Sequence, residues 1–277
     1  MTEHLTVDGG TLAYDVTGTG PLVVLAHGMG DNRAAYRFMA PQLVTAGYRV
    51  ATIDLRGCGE SSDTWPTYSR TAVAGDLLAL VRHLGGGQAV LVGHSLSGGA
   101  VTIAAAQAPE LVAGIVELAP FTRKQAMSLG DLRVGRYRTG MLRLLLTGAL
   151  GSVRWWHKYL EVAYPGRRPA DWDDQLRRNA ENLREPGRMR AMRRMATPAV
   201  DAHEQLAKVR CPVLVVEGSL DPDWADPRAE GEAIVAAMPA GLARLEVVDG
   251  AGHYPHAQFP DETAALVLSF LRAHARA

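Results

Sequence analysis

Residues 90–99 read Val90-Leu91-Val92-Gly93-His94-Ser95-Leu96-Ser97-Gly98-Gly99. An apolar, β-branched run enters a polar turn and leaves it as a helix of small residues, 96–107. Gly93 and Ser97 flank Ser95 at minus two and plus two. The spacing has a steric reason. A nucleophile carried on a tight strand-to-helix turn sits in strained backbone, and larger side chains at the flanking positions would collide. The helix start also leaves free N–H groups beside the reacting centre. An ordinary Gly/Ser turn is the plainer reading of the five central residues alone. The buried strand before and the small-residue helix after favour a nucleophile.

Outward from this turn, short apolar runs alternate with helical patterns. Leu22–Ala26, Arg49–Asp54, Ala89–Gly93, Gly114–Leu118, Pro212–Glu217 and Ala243–Val248 read as strands, several buried on both faces. Thr71–Leu84 places Ala74, Leu77, Leu78, Val81 and Leu84 on one helical face, and Asp261–Ala273 does the same with Leu266, Val267, Phe270 and Leu271. Strands alternating with helices predict a parallel sheet covered on both sides. At the start, Leu5–Val7 and Thr11–Val16 flank Asp8-Gly9-Gly10, which predicts an antiparallel hairpin leading into the sheet. The alternation stops between Phe121 and Ala207, a stretch rich in Arg, Met, Leu and Trp, read as three to five helices with a helical tract at Asp171–Leu183.

Charge divides the chain in the same places. The 29 basic and 29 acidic side chains cancel, yet residues 1–120 have a net charge of −4, residues 121–200 of +10 and residues 201–277 of −6. A basic middle inserted between acidic flanks predicts two units: a core from 1–120 and 208–277, and a helical insertion over 121–207. Hydrophobic residues at 47% exclude a disordered chain. No apolar run reaches a membrane span, and Met1–Gly10 is too polar for a signal peptide. Cys58 and Cys211 make neither a disulfide framework nor a zinc cluster, so a reducing cytoplasm is expected.

A lone serine needs a base, and the base an orienting acid. His253 follows the strand 243–248 on the glycine-rich loop Asp249-Gly250-Ala251-Gly252, which favours it over His256, read as a supporting or surface residue, and over His274 near the C-terminus. Asp221 is the first carboxylate past the strand 212–217; Asp223 and Asp226 read as helix caps, and Glu117 is a remaining alternative. Backbone N–H groups for a developing oxyanion are expected at Leu96, on the turn, and at Met29 in His27-Gly28-Met29-Gly30, where two glycines let the chain approach the serine. A phosphate cradle there lacks the Lys-Ser/Thr and the G-x-G-x-x-G that would support it.

With His27-Gly28-Met29-Gly30, Asp54-Leu55-Arg56-Gly57-Cys58-Gly59-Glu60-Ser61, Gly93-His94-Ser95-Leu96-Ser97-Gly98-Gly99, the Asp221 loop and Gly252-His253, the chain resembles the α/β-hydrolase superfamily. The resemblance covers residues 1–120 and about 208–277, and 121–207 resembles the helical cap that the family inserts after its sixth strand. It implies an α/β fold with an eight-stranded, mostly parallel sheet whose second strand is antiparallel. The implied triad is Ser95, Asp221 and His253 in that chain order. The Asp54–Ser61 stretch is implied to be structural, so Asp54 and Arg56 receive no chemistry. Ser97 stands where the family usually has glycine and is still small.

The expected activity is hydrolysis of a carboxylic ester or lactone, with no cofactor and no metal. Dehalogenases and epoxide hydrolases of this fold carry an aspartate at the turn, which Ser95 argues against. Thioesterases, C–C bond hydrolases of the 1,3-diketone type, aminopeptidases, haloperoxidase-like enzymes and a ligand receptor with little turnover remain open. The partner expected is a small-molecule substrate, neither nucleic acid nor membrane, and the oligomeric state is open. Trp155, Trp156, Tyr159, Trp172, Met141 and Leu142 either pack the insertion or line an apolar pocket. The arginines of the insertion, among them Arg133, Arg136, Arg138, Arg143, Arg177, Arg178, Arg193 and Arg194, are read as exposed helix positions, with an entrance that favours an anionic substrate as the sharper expectation.

Overall fold

The computed structural model describes residues 1–85, 87–124 and 128–275. Eight strands form one sheet: β1 (Glu3–Val7), β2 (Gly10–Thr17), β3 (Leu22–Ala26), β4 (Arg49–Ile53), β5 (Ala89–His94), β6 (Val112–Leu118), β7 (Val213–Gly218) and β8 (Ala243–Val248), in the order β1-β2-β4-β3-β5-β6-β7-β8. β2 runs antiparallel to both β1 and β4, and the remaining pairs are parallel. This is the sheet expected. The small differences lie at strand ends: β4 stops at Ile53, so Asp54 belongs to the following loop, and β7 starts at Val213, after a proline that has no N–H to give to a ladder.

The sheet is buried on both faces because its strands are apolar on both. On β3, Leu22, Val24 and Ala26 enter one core while Val23 and Leu25 enter the other; on β5, Leu91 and Val90 divide in the same way. The first core is covered by α2 (Arg70–Leu84), α3 (Leu96–Gln107) and α9 (Pro227–Ala237), which contribute Leu77, Val101 and Ile234. The second is covered by α1 (Met39–Thr45) and α11 (Pro260–His274), through Leu43, Val267 and Phe270. Each such buried aliphatic or aromatic side chain contributes about 1.5–3 kcal/mol.

Between β6 and β7, among the described residues, there is no strand. The segment holds α4 (Gly135–Leu150), α5 (Val153–Ala163), α6 (Trp172–Arg184), α7 (Arg188–Met195) and the short α8 (Val200–His203). The short helix α10 (Pro255–Gln258) is a single turn before α11. The inserted helices carry their own apolar cluster, including Trp156, Tyr159, Leu160 and Trp172, which runs on into Tyr254 and Ala257 of the β8–α11 connection. Among the described residues no helix is long and apolar enough to cross a membrane. Asp54, fully buried, accepts from the Arg33 and Glu60 backbone N–H groups and pairs with the Arg33 guanidinium, while Arg56 pairs with Asp76 through two bonds of 2.7 and 2.8 Å. Both side chains of the Asp54–Ser61 loop are thus occupied in holding loops together.

Candidate active site

Four loops meet at the C-terminal ends of the parallel strands, where open α/β sheets bind ligands. Ser95 joins β5 to α3 with φ +55° and ψ −118°, a conformation costly for a side-chain-bearing residue. The turn is tight enough that a Cβ at Gly93 would stand 2.2 Å from the Ser97 carbonyl oxygen, which accounts for the glycine. Ser97 donates its hydroxyl to the His27 carbonyl at 2.6 Å and so ties the β3 loop to the start of α3. A glycine there would leave that bond unmade. His27 in turn accepts the Leu55 N–H at 3.0 Å and bonds the Gly28 carbonyl at 2.7 Å. A Cβ at Gly28 would lie 2.9 Å from the Ser95 Cβ and 2.7 Å from His94 Nδ1, so only glycine lets this loop pass over the serine. The next residue, Met29, and Leu96, the first residue of α3, border the same cavity, and neither backbone N–H donates to another group among the described residues.

His253 and Asp221 come together as the spacing predicted: Nδ1 lies 2.8 Å from Asp221 Oδ2, both side chains being buried. The two loops interlock through their backbones, since a Cβ at Gly218 would stand 2.1 Å from the Gly252 carbonyl. His94 was not singled out in the sequence. Burial holds its imidazole well below the ordinary histidine value and therefore neutral, so Nε2–H donates to the His253 carbonyl at 2.7 Å. His256, read as a supporting or surface residue, is fully buried, its ring packed between those of Tyr36 and His94.

Asp223 departs from its expected role. The cap of α9 is Asp226 alone, which accepts from the Ala229 N–H at 3.0 Å. Asp223 turns inward: its Oδ2 lies 3.4 Å from His253 Nδ1, and the Tyr159 hydroxyl of α5 donates to it at 2.8 Å. Burial, with Asp221 alongside, raises the Asp223 carboxyl well above the usual carboxylate range. Burial also works against a charged His253, but the two carboxylates outweigh it and hold the imidazole above its ordinary value. Sequence spacing carried one available clue, the second acid of the Asp221-Pro222-Asp223 run. Glu117, the remaining alternative acid, lies elsewhere, bonded to Thr102 and Thr122.

Donor atoms of Asp221, Asp223 and His253 lie within 4.8 Å of one another, the one such group among the described residues. Their lone pairs and protons are already engaged, by Tyr159 on Asp223, the Asp223 N–H on Asp221 Oδ1, and Asp221 on His253. A cation there would have to displace the carboxylate–imidazole hydrogen bond.

Ser95 and His253 line one cavity of about 330 Å³, a size suited to a small ligand. α5 roofs it with Trp156 and Tyr159, α4 adds Met141 and Leu144, and α7 adds Met192 and Arg193. Of the aromatic and apolar residues named from the sequence, Trp172 packs on Tyr164 instead, and Leu142 is exposed. Of the insertion's arginines named from the sequence, Arg193 alone borders this cavity; Arg136 holds the acid loop through the Asp221 and Ala225 carbonyls, and Arg177 and Arg178 pair with Asp174 and Asp171. The inserted helices touch three of the four loops of the site. Asn179 donates to the Gly30 carbonyl at 2.7 Å, Tyr159 to Asp223, and the His253 N–H reaches the Ala163 carbonyl at 2.9 Å.

A profile described as the alpha/beta hydrolase family matches residues 23–266. The chain is 29% identical over 292 aligned positions to the 2-(acetamidomethylene)succinate hydrolase of Mesorhizobium japonicum, covering 96% of this chain and 94% of that one. Among solved structures it is similar to a thermophilic esterase from Thermogutta terrifontis, at 25% identity and a TM-score of 0.73 over 99% of this chain and 98% of the other. It is also similar to an enzyme described as degrading N-acyl homoserine lactones, at 25% identity and a TM-score of 0.75 over 97% and 100% of the two chains. The chain belongs to the alpha/beta hydrolase family.

Proposed function

We propose that the protein is a serine hydrolase that cleaves a carboxylic ester or lactone through an acyl-enzyme on Ser95. The observation that carries this reading is Ser95 in left-handed backbone at a cavity that His253, hydrogen-bonded to Asp221, also borders. Ser95 Oγ attacks the substrate carbonyl while His253 Nε2 takes its proton. Asp221, bonded to Nδ1, fixes the tautomer and stabilises the imidazolium. The N–H groups of Met29 and Leu96 hold the oxyanion. Collapse of the tetrahedral intermediate breaks the C–O bond, and His253 gives its proton to the leaving alkoxide. Water then attacks the acyl-enzyme with His253 as base and frees the acid and Ser95. Residues 121–207 act as the cap that excludes bulk water, and the substrate is a small molecule met in the cytoplasm.

The esterase and the lactone-degrading enzyme support this choice within the family, as does a serine rather than a carboxylate at the turn. Treatment with a fluorophosphonate followed by peptide mass spectrometry tests it. A single adduct on Ser95 is expected, and an adduct on another residue, or none, contradicts the assignment.

A further inference from the structure

Arg70 is the first residue of α2, only 4% exposed, and it borders the same cavity as Ser95. Its position is unfavourable for a cation in two respects. A helix N-terminus carries partial positive charge, so a basic residue in the first turn is the wrong sign. Burial of a guanidinium also requires compensation. Yet Arg70 has no carboxylate partner among the described residues. Nε donates to the Phe121 carbonyl at 3.2 Å, and Nη1 to the Thr197 carbonyl at 2.9 Å, with longer contacts to the Thr197 hydroxyl and the Pro198 carbonyl. Nη2 donates to no group among the described residues. Asp201, the carboxylate whose field reaches Arg70, spends Oδ2 on the Thr71 N–H and hydroxyl.

The surroundings tie this guanidinium to the backbone around Ser95. The Phe121 N–H donates to the Ser95 carbonyl at 3.0 Å while the Phe121 carbonyl accepts from Arg70, so the backbone of one residue links the two. Gly99, one turn beyond Ser95 on α3, makes room: a Cβ there would stand 2.7 Å from Arg70 Cδ. The rest of the wall is largely apolar, with Met29, Met141, Leu144, Met192 and Met195. A buried cation in such a wall acts at a lower effective dielectric than in bulk water, although three backbone carbonyls and the Asp223 carboxyl share its surroundings.

We infer that Arg70 is the specificity-determining residue of this pocket and that it receives a carboxylate carried by the substrate, so that the enzyme cleaves esters or lactones bearing a second, anionic group. The inference rests on the proposed acyl transfer at Ser95 and adds the class of substrate to it. Arg70 reads that charge through Nη2, whereas Arg193 stands exposed at the rim. A brace for the Thr197–Pro198 turn is the competing role, and it would affect all substrates alike.

The experiment compares kcat/KM for an aryl hemiglutarate and its neutral methyl ester, in the wild type, Arg70→Gln and Arg70→Lys. Charge-assisted hydrogen bonds imply a preference of about 10- to 100-fold for the anion. Arg70→Gln is expected to abolish that preference, lowering kcat/KM for the hemiglutarate through KM by more than it lowers that for the neutral ester. Arg70→Lys retains part of it, because a charge remains without the fork of donors. The inference is overturned by a wild type without preference, by a preference that survives Arg70→Gln, or by an equal loss on both esters. Fluorophosphonate labelling of Ser95 in the same samples keeps the two proposals apart. If neither ester is turned over and Ser95 is not labelled, acyl transfer fails, and calorimetry with glutarate decides the anion site. Binding by the wild type that is lost in Arg70→Gln upholds it, and absence of binding overturns it.

Discussion

The sheet loops and the inserted helices reach the same cavity by different physical means. The loops place Ser95, Met29 and His253 by close backbone approach: glycines at 28, 93, 218 and 252 stand where a Cβ would meet another atom at under 3 Å. The helices reach in mainly with side chains, Tyr159 to Asp223, Asn179 to Gly30 and Trp156 beside the Gly30 turn. Backbone approach tolerates no substitution without moving the chain. Side-chain contacts can be exchanged one at a time. Under the proposed function, reactivity is built into the loops, and substrate choice into side chains that can be replaced without dismantling them.

Substitutions on the two sides should therefore differ in scale. Ser95→Ala is expected to lower kcat/KM for an aryl ester by on the order of 10⁴–10⁶, with an unchanged melting temperature. Asp221→Asn should cost about 10⁴ in kcat, since an amide favours the wrong imidazole tautomer. If Asp223→Asn costs as much, the two carboxylates have been assigned the wrong way round. Gly28→Ala pushes the loop off Ser95 and His94 and displaces the Met29 N–H; the loss of one oxyanion donor is expected to cost about 10²–10³ in kcat. On the helical side, Asn179→Ala removes one hydrogen bond to Gly30, worth about 1 kcal/mol, and a change of no more than about tenfold is expected, mostly in KM. A hundredfold fall in kcat from Asn179→Ala would erase the distinction between the two regions.

The smallest effect expected is a displacement along the pH axis. His253 must be neutral to accept the serine proton, so activity is lost as pH falls through its titration. Asp221 and Asp223 together hold the imidazole above its ordinary value, which places this acid limb above the range of an unperturbed histidine. Asp223→Asn removes one source of that stabilisation of the imidazolium. The limb should move to lower pH, with the plateau rate nearly unchanged, as a pH series of kcat/KM measures. A shift to higher pH would mean that Asp223 does not act on His253 as a charge.

Much of this arrangement was legible where one residue type had a single steric or chemical purpose. β3 and β8 lie at the residues their apolar runs predicted, and the glycines around Ser95 marked the turn. What escaped notice was set by tertiary context. Asp223 had the spacing of a helix cap, and only the fold turns it towards His253 and Tyr159. Arg70 precedes the apolar periodicity of α2 and looks like a solvent-facing residue; its burial depends on Gly99 and on the Thr197–Pro198 turn far along the chain. His94 stands inside the nucleophile motif, but its bond to the His253 carbonyl joins residues 159 positions apart. The helical insertion was visible as the place where strands stop, while its individual helices follow from packing that no local pattern encodes.

The most direct test of the account is the identity of the covalent intermediate. The protein is mixed with an aryl acetate below the His253 titration, where deacylation is slowed, then quenched in acid, digested and analysed by mass spectrometry. One acetyl group per chain is expected, on the peptide containing Ser95, absent from Ser95→Ala and discharged when the pH is raised before quenching. Turnover of the ester with no adduct, or with an adduct on another residue, would contradict it.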